Sequence, residues 1–591
     1  MKKYLLGLLA FFMMSTSAMA YNWPDRTAQV HLFEWKHSDV ALECENVLGP
    51  LGYAAVQVSP VQEHRVIGSE NPFGQAYPWW QRYQPIGVSV ENTRSGSRAE
   101  FQDMVNRCAA VGVDVYVDVV LNHTTGDPAQ TGGTCIGSDG TTCGYKSVTG
   151  LYSAADFHND CSIDWNNAWT VQNCWLSGLQ DLKTESSYVQ GKLRDYMTDL
   201  NNLGVNGIRV DAAKHIHKDQ LNYILAPFNG YIFQEVIVDA AAPASNYTWI
   251  GDITEFKWGH EIKNAFQNGG QLGWLNNNGG IGSSNWGFIS GTEAVVFVEN
   301  HDDERNGAGL TYKDGANYAL ANVFTLAHEY GYSKVMSSYE FTDTSAGPPG
   351  SNGVTSNVWT SNTTDVCGQG GWVCQHRWPA MAGMVGFRNH VVGEPVLDFW
   401  EHSQNHISFR RGTKGFVTIN REGYTRNFNL YTGLPDGEYC DVANDVFDYD
   451  NGTCSGGTYT VAGGYLNSSV WANGAIAIHI GSQVSAAGGG NANVNFTCAN
   501  GNTYWGQNVY VVGNVAELGN WTISNAADQK LDPNNYPTWN KSISVPANTT
   551  IEWKCVKSAN GSTIQQWEGG SNNSVTSGNS GTTVNSTGGS F

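Results

Sequence analysis

Short apolar runs recur along the chain, and four of them end on a carboxylate or a histidine. Residues 114–123 read DVYVDVVLNH, with Asp118 inside the run and Asn122 and His123 at its exit. Residues 207–215 read GIRVDAAKH and reach Asp211 after four strand-like positions. Residues 231–236 (YIFQEV) deliver Glu235, and residues 294–302 (AVVFVENHD) deliver His301 and Asp302. Runs of this length, bounded by turn residues, suit strands of a parallel sheet covered on both faces. QVHLFEW (29–35), AAVQVS (54–59), residues 252–256 and YSKVMS (332–337) read as four more, with a helix over residues 39–48 between the first two. Eight such strands, several ending in acid or histidine, predict an α/β fold: a (β/α)8 TIM barrel with its reacting groups at the C-terminal strand ends.

The pleat places Arg209 on the same side as Asp211. A carboxylate beside a fixed guanidinium is expected to stay ionised and able to act as a nucleophile. Alone, that pair reads equally well as a structural ion pair; the other strand ends tip it towards chemistry. PWWQRYQ (78–84) falls on a loop. Residues 122–181 hold little periodicity, and a loop of that length inside a barrel needs a reason. Past residue 399 the pattern becomes short alternating strands (HISFRR, GFVTIN, AIAIHI), then a small, polar linker in residues 482–493, then more short strands in 494–591.

Composition narrows the class. Residues 1–20 carry two lysines, an apolar core and Ala18-Met19-Ala20, the pattern of a secretory leader, so the mature chain is expected to start at Tyr21 and to be extracellular. All 12 cysteines follow it without any CxxC spacing, which favours disulfides over thiolate zinc. A net charge of −21 argues against nucleic acid, and no run is long enough to span a membrane. The 21 Trp and 27 Tyr fit sugar binding, since sugar C–H faces stack on rings, although most such rings belong to cores.

DVVLNH, GIRVDAAKH, the Glu of FQEV and FVENHD resemble the four sequence regions of the α-amylase family of glycoside hydrolases. HLFEW, ALECENVLGPLGYAAVQVSP and KVMSSY resemble its animal-type, chloride-dependent branch. The resemblance implies a catalytic barrel over residues 21–398, a small domain inserted at about 122–181, and an antiparallel β domain over 399–481. It implies Ca2+ held by Asn122, Asp181 and the carbonyls of Gln172 and His215, with Asn173 standing where relatives often have an acid. It implies chloride held by Arg209, Asn300 and Lys334, where many relatives have Arg and a lysine should grip less tightly. NVYVVGNVAELGNW, TIEWK and QQWEGGSN (within 508–572) resemble the starch-binding module of fungal glucoamylases, a β-sandwich. Trp521 and Trp567, with Lys554, then match one sugar site and Trp505 the second. Implied disulfides are Cys44–Cys108, Cys161–Cys174, Cys367–Cys374 and Cys440–Cys454; Cys135 and Cys143 remain as a local pair, and Cys498 with Cys555 in the last module.

The same resemblance assigns Asp211 as nucleophile and Glu235 as acid, then base. Asp302 grips the distorted sugar. Trp79, Trp80 and Tyr83 stack on sugars; Gln84, His123, Lys214, His215 and His301 bond hydroxyls; Arg209 orients Asp211. NGAG (306–309) is a loop able to move on binding. Starch, glycogen and malto-oligosaccharides are the expected substrates, and nothing points to a dimer, so a monomer is expected. The alternatives are a cyclodextrin-forming transglycosylase on the same fold and a non-catalytic glucan-binding protein. The second expects one of the three acids to be missing, and all three are present.

Overall fold

The computed structural model describes residue 23 and residues 25–69, 74–131, 135–484, 491–523, 529–547, 549–578, 582–589 and 591. The expected leader and mature start lie outside the described residues, as do residues 485–490 of the expected linker.

Eight parallel strands close a barrel: β1 (Ala28–Leu32), β2 (Ala55–Val58), β3 (Asp114–Val120), β4 (Gly207–Asp211), β5 (Tyr231–Gln234), β6 (Asp252–Thr254), β7 (Ala294–Val296) and β8 (Tyr332–Ser337). β8 pairs with β1 from Ala28↔Ser333 to Leu32↔Ser337, which shuts the ring. The strands are short, three to seven residues, and β1, β3 and β7 end while the sequence is still apolar. β7 stops at Val296, so Asn300 to Asp302 lie on the turn beyond it rather than on strand. The first helix, His37–Glu43, runs on into a π-helical turn at Cys44–Leu48. Arg98–Ala110 starts on a capping box in which Ser97 Oγ and Glu100 satisfy each other's backbone N–H. Residues 78–84 are more ordered than a loop: Trp79–Tyr83 form a 3-10 helix.

The barrel interior is layered. Tyr116, Phe233, Val295 and Ala55 cluster with Tyr231 and Tyr332, an aromatic floor from residues early in their strands. One strand position further on, that is, two residues, the inward side chains turn ionic: Asp118, Arg209 and Lys334. Gly207 makes the floor possible, since a Cβ there would lie 2.5 Å from Tyr116 Cδ1.

His123–Gly126 pairs with Leu179–Asp181, so the long segment leaves and re-enters the barrel through one small ladder. After the helix Pro379–His390, two four-stranded antiparallel sheets span residues 396–479 and enclose Phe416, Phe428, Tyr439, Leu466 and Ile476. The last unit has Asn491–Cys498 paired with Thr538–Pro546 in one sheet and Asn508–Gly513 paired with Thr550–Ser558 in another. Cys498–Cys555 ties these two sheets together. All six disulfides form in the pairs named above. Among the described residues no helix is long and apolar enough to cross a membrane.

Gly207→Ala should lower stability by about 1–3 kcal/mol, because the new methyl overpacks the Tyr116 ring. Thermal unfolding of the purified variant against the parent measures it.

Candidate active site

β4 and β5 place the central groups. Arg209, 2% exposed, points into the barrel mouth and is shared among three carboxylates. Its Nη1 donates to Asp118 (2.8 and 2.9 Å) and to Asp211 Oδ1 (2.8 Å), and its Nη2 lies 3.0 Å from Glu235 Oε2. Directly after Asp211, Ala212 adopts a left-handed backbone (φ 47°). That turn aims its N–H at Glu235 Oε2 (2.7 Å), while Glu235 N donates to Val210 O (2.8 Å). Backbone strain of this kind at a strand exit is held in place by its surroundings.

Asp302 joins the group from the β7 turn. Asn300 Oδ1 accepts from the N–H groups of Asp302 (3.0 Å) and Asp303 (2.8 Å), fixing the turn, and His301 Nε2 lies 3.4 Å from Asp302 Oδ2. The His301 ring stacks on Tyr83 at 4.9 Å and 13°. Tyr83 OH donates to Asp118 Oδ2 (2.9 Å) and its carbonyl accepts from His123 Nε2 (3.1 Å). Burial pushes His123 down to about 4, so it is a neutral imidazole.

The electrostatics follow from counting charges. Asp118, Asp211, Glu235 and Asp302 share a buried space with two cations, Arg209 and Lys334. Burial pushes Asp211 well above the usual carboxylate range against the pull of Arg209, and Glu235 and Asp118 push the same way. The expectation that Arg209 alone keeps Asp211 ionised is therefore amended: one guanidinium serves three acids. Burial and Glu235 push Asp302 up to about 7, though 39% of its side chain meets the cleft. A cluster of this kind retains a proton, which general acid catalysis requires.

The remaining candidates differ in how far they face the cleft. Gln84 Oε1 accepts from Thr125 Oγ1 (2.7 Å) and Gly126 N (3.3 Å), leaving its amide nitrogen as the donor for a ligand. Trp79 is packed edge-on to Phe33, Tyr83 and His301, with Nε1 on Thr344 O (2.8 Å), and Trp80 beside it is half-buried. Lys214 Nζ is bound to Asp239 Oδ2 (2.8 Å), and His215 Nδ1 to Val171 O (2.7 Å). In the last unit Trp505 is 102% exposed and Trp567 45%, whereas Trp521 packs partly on Tyr510, Val512 and Val556. Lys554 Nζ is engaged by the carbonyls of Gly570 (2.9 Å) and Glu568 (3.3 Å).

Asn122 and Asp181 are neighbours in the ladder, where Leu182 N donates to Asn122 O (2.9 Å). Asp181 gives one oxygen to His158 Nδ1 (2.6 Å), while its buried Oδ1 has no partner among the described residues. The helix Ala168–Asn173, carrying Gln172, is fastened to His215 through Val171. An unpaired carboxylate oxygen beside amide and carbonyl oxygens fits a hard cation such as Ca2+. For the anion, Lys334 is buried between Phe297 (4.9 Å) and Phe233 (5.7 Å), with Gln57 Oε1 at 3.4 Å. Burial, then Arg209, pushes it down to about 7. Gln29 and His31, also inside the barrel, have side-chain N and O atoms with no partner among the described residues. A desolvated ammonium among such groups fits a small anion.

Three acids converging on one cleft of a closed parallel barrel narrow the field, and comparison with known proteins decides it. The family model "Alpha amylase, catalytic domain" matches residues 51–224, "Alpha amylase, C-terminal all-beta domain" residues 397–481 and "Starch binding domain" residues 491–587. An "Alpha-amylase" of Thermomonospora curvata is 42% identical, covering 93% of this chain and 91% of that one. The chain belongs to the α-amylase family. An "Alpha-amylase" of Tribolium castaneum is 43% identical over 78% of this chain and 95% of its own. The crystal structure of α-amylase I from Eisenia fetida superposes with a TM-score of 0.69 at 38% identity, covering 78% of this chain and 98% of that one; a variant of that enzyme was solved with maltohexaose.

Two groups in this amylase's site were not singled out by sequence reasoning for what they do. Asp118 was visible only as an acid inside a run, and its tie to Arg209 crosses 91 residues. Trp165, whose ring lies 5.2 Å from Lys214 Nζ and 6.0 Å from the His215 ring, lay in the segment without periodicity.

Asp118→Asn should move the pH profile of kcat/KM to lower pH by about one unit, since removing one negative neighbour lowers the pKa of the remaining buried carboxyls. Initial rates across pH, for variant and parent, test this.

Proposed function

We propose that this amylase is a secreted, endo-acting, retaining hydrolase of internal α-1,4-glucosidic bonds in starch, glycogen and malto-oligosaccharides. The observation that carries it is Arg209 bridging Asp211 and Glu235 at adjacent strand ends. Two carboxyls gathered on one guanidinium can serve one anomeric carbon in succession. In this reading Asp211 attacks that carbon as Glu235 donates a proton to the departing oxygen, giving a glycosyl ester on Asp211. Glu235 then takes a proton from water, the water oxygen bonds the anomeric carbon, and Asp211 leaves as a carboxylate with the α configuration restored. Asp302 and the neutral His123 and His301 bond the sugar hydroxyls, most tightly as the ring flattens. Tyr83 supplies an aromatic face, and Trp80 extends it.

Asn122, Asp181 and the Gln172 and His215 carbonyls would hold Ca2+, which binds the inserted segment to the barrel mouth. Arg209, Asn300 and Lys334 would hold chloride; Asn300 would use its Nδ2, since its Oδ1 is engaged in the turn. A bound anion offsets two buried cations beside the catalytic carboxyls. Residues 1–20 direct export, and the last unit, from Asn491 on, holds the enzyme on insoluble glucan through Trp505, Trp521 and Trp567, with Lys554 bracing the site. The chain works as a monomer.

Asp211→Asn and Glu235→Gln should each lower kcat on soluble starch by roughly three or more orders of magnitude with an unchanged far-ultraviolet spectrum. Near-parental turnover in either removes that residue's role. Chromatography should show linear oligosaccharides; rings would favour the transglycosylase. Dialysis against chelator should lower thermal stability and activity together. Chloride should activate, and its apparent Kd should rise as pH passes about 7, where Lys334 loses its proton. Trp505→Ala with Trp567→Ala should abolish adsorption to starch granules and leave the rate on soluble substrate unchanged.

A further inference from the structure

The antiparallel domain after the barrel carries a surface that the reaction above does not use. In its second sheet the strand Arg426–Tyr431 lies at an edge and pairs with Tyr465–Val470. Alternation decides which of their side chains meet water. Phe428, Leu466 and Val470 turn inward and are buried in the core between the two sheets. The opposite parity turns outward in three facing pairs: Tyr431 with Tyr465, Asn429 with Asn467, and Asn427 with Ser469. Among the described residues, no hydrogen bond engages the Asn427, Asn429, Asn467 or Ser469 side chains.

The two tyrosines at the head of this track are built into place. Tyr431 is 40% exposed and Tyr465 50%, and their rings meet at 5.4 Å and 61°. The Arg410 guanidinium lies 5.6 Å from the Tyr431 centroid and is anchored by Asp398 Oδ2 (2.5 Å) and the Gly412 carbonyl (2.6 Å). Tyr431 also fills the space over Gly464, where a Cβ would come 2.8 Å from its Cε2. A cation on one ring and a glycine under its edge hold the pair before any ligand arrives, which lowers the ordering cost of binding.

The chemistry of the face selects its occupant. None of the six outward positions is charged, on a chain whose net charge is −21. A charged macromolecule finds no counter-charge there, whereas a neutral polyhydroxyl chain needs none. Ring faces receive sugar C–H groups, and free amides and a hydroxyl exchange hydrogen bonds with sugar hydroxyls. Rings inclined at 61° seat a curved chain better than a flat one. Each strand residue advances about 3.4 Å, so the track from Tyr431 to Asn427 is about 14 Å long, more than one sugar ring.

We propose that Tyr431 and Tyr465, with the Asn429–Asn467 pair behind them, form a non-catalytic binding surface for an α-glucan on the antiparallel domain. This rests on the glucan substrate proposed above, and the surface shares no residue with the barrel mouth or the last unit. A polysaccharide held there stays close to the cleft between cuts, which raises its effective concentration.

The test uses the full chain with Trp505→Ala and Trp567→Ala, so that the last unit does not mask a weaker site. Binding is read as retardation in native gels containing amylopectin, with Glu235→Gln added so that the glucan is not consumed. Tyr431→Ala with Tyr465→Ala should raise the apparent Kd for amylopectin about fivefold. In the hydrolytic chain the same pair should raise KM on amylopectin about threefold, with kcat and both constants on maltoheptaose unchanged. Tyr431→Phe with Tyr465→Phe should keep parental binding, since the rings carry the contact. Unchanged retardation in the double alanine variant overturns the inference. A parent that sediments as a dimer, with the variant a monomer, makes the face a contact between copies and overturns it too. If the alanine variant does not fold, unchanged retardation in Asn429→Ala with Asn467→Ala overturns it. A parent chain that amylopectin does not retard, and that releases no reducing ends from it, fails the glucan reading and this surface with it.

Discussion

The site depends on how one guanidinium is divided. Arg209 is buried among Asp118, Asp211 and Glu235, and it is too small a charge to neutralise all three. The geometry is well satisfied, yet the electrostatics are left unbalanced, and that imbalance is chemically useful. A single acid matched with a single cation would ionise fully and stay ionised. Three acids on one cation hold protons in common, so a proton can be given at one step and regained at the next. Lys334, deeper in the same interior, adds a second cation whose own charge is weakened by burial.

The fold supplies this arrangement through register. β3, β4 and β5 are neighbours, with Arg209 opposite Asp118 on one side and Phe233 on the other. A one-residue slip of β4 would turn Arg209 and Asp211 out of the barrel together. Gly207, two residues before Arg209, helps to fix the register by giving Tyr116 its place. Past the strand, the left-handed turn at Ala212 stitches β4 to Glu235 by a backbone donor, so the two carboxyls that must act in sequence share both a cation and a hinge-free backbone contact.

The sequence made the strand ends legible because an acid that terminates an uninterrupted apolar run stands out from surface carboxylates. Asp211, Glu235 and Asp302 could be found that way, and the eight-strand barrel followed from the repetition. Asp118 was harder: a carboxylate in mid-strand gives no sign of its partner until the register is known. Residues 78–84 read as irregular because their polar residues hid the hydrogen bonds of a 3-10 turn. Trp79 and Trp505 show the limit most directly. Both are tryptophans in segments rich in polar residues, yet one is wedged against Phe33 and His301 while the other is fully exposed, and only tertiary structure separates them. The role of Lys214 was obscured for a similar reason, since its partners Asp239 and Trp165 come from two different connections.

The aromatic floor below Arg209 has a bearing on how the site exchanges with its surroundings. Tyr116, Phe233 and their neighbours fill the barrel from beneath, so hydronium and water come and go through the mouth. Once a polysaccharide lies across that mouth, the water that completes each turnover has to enter by the path the departing segment leaves open, and it brings the proton that Glu235 regains.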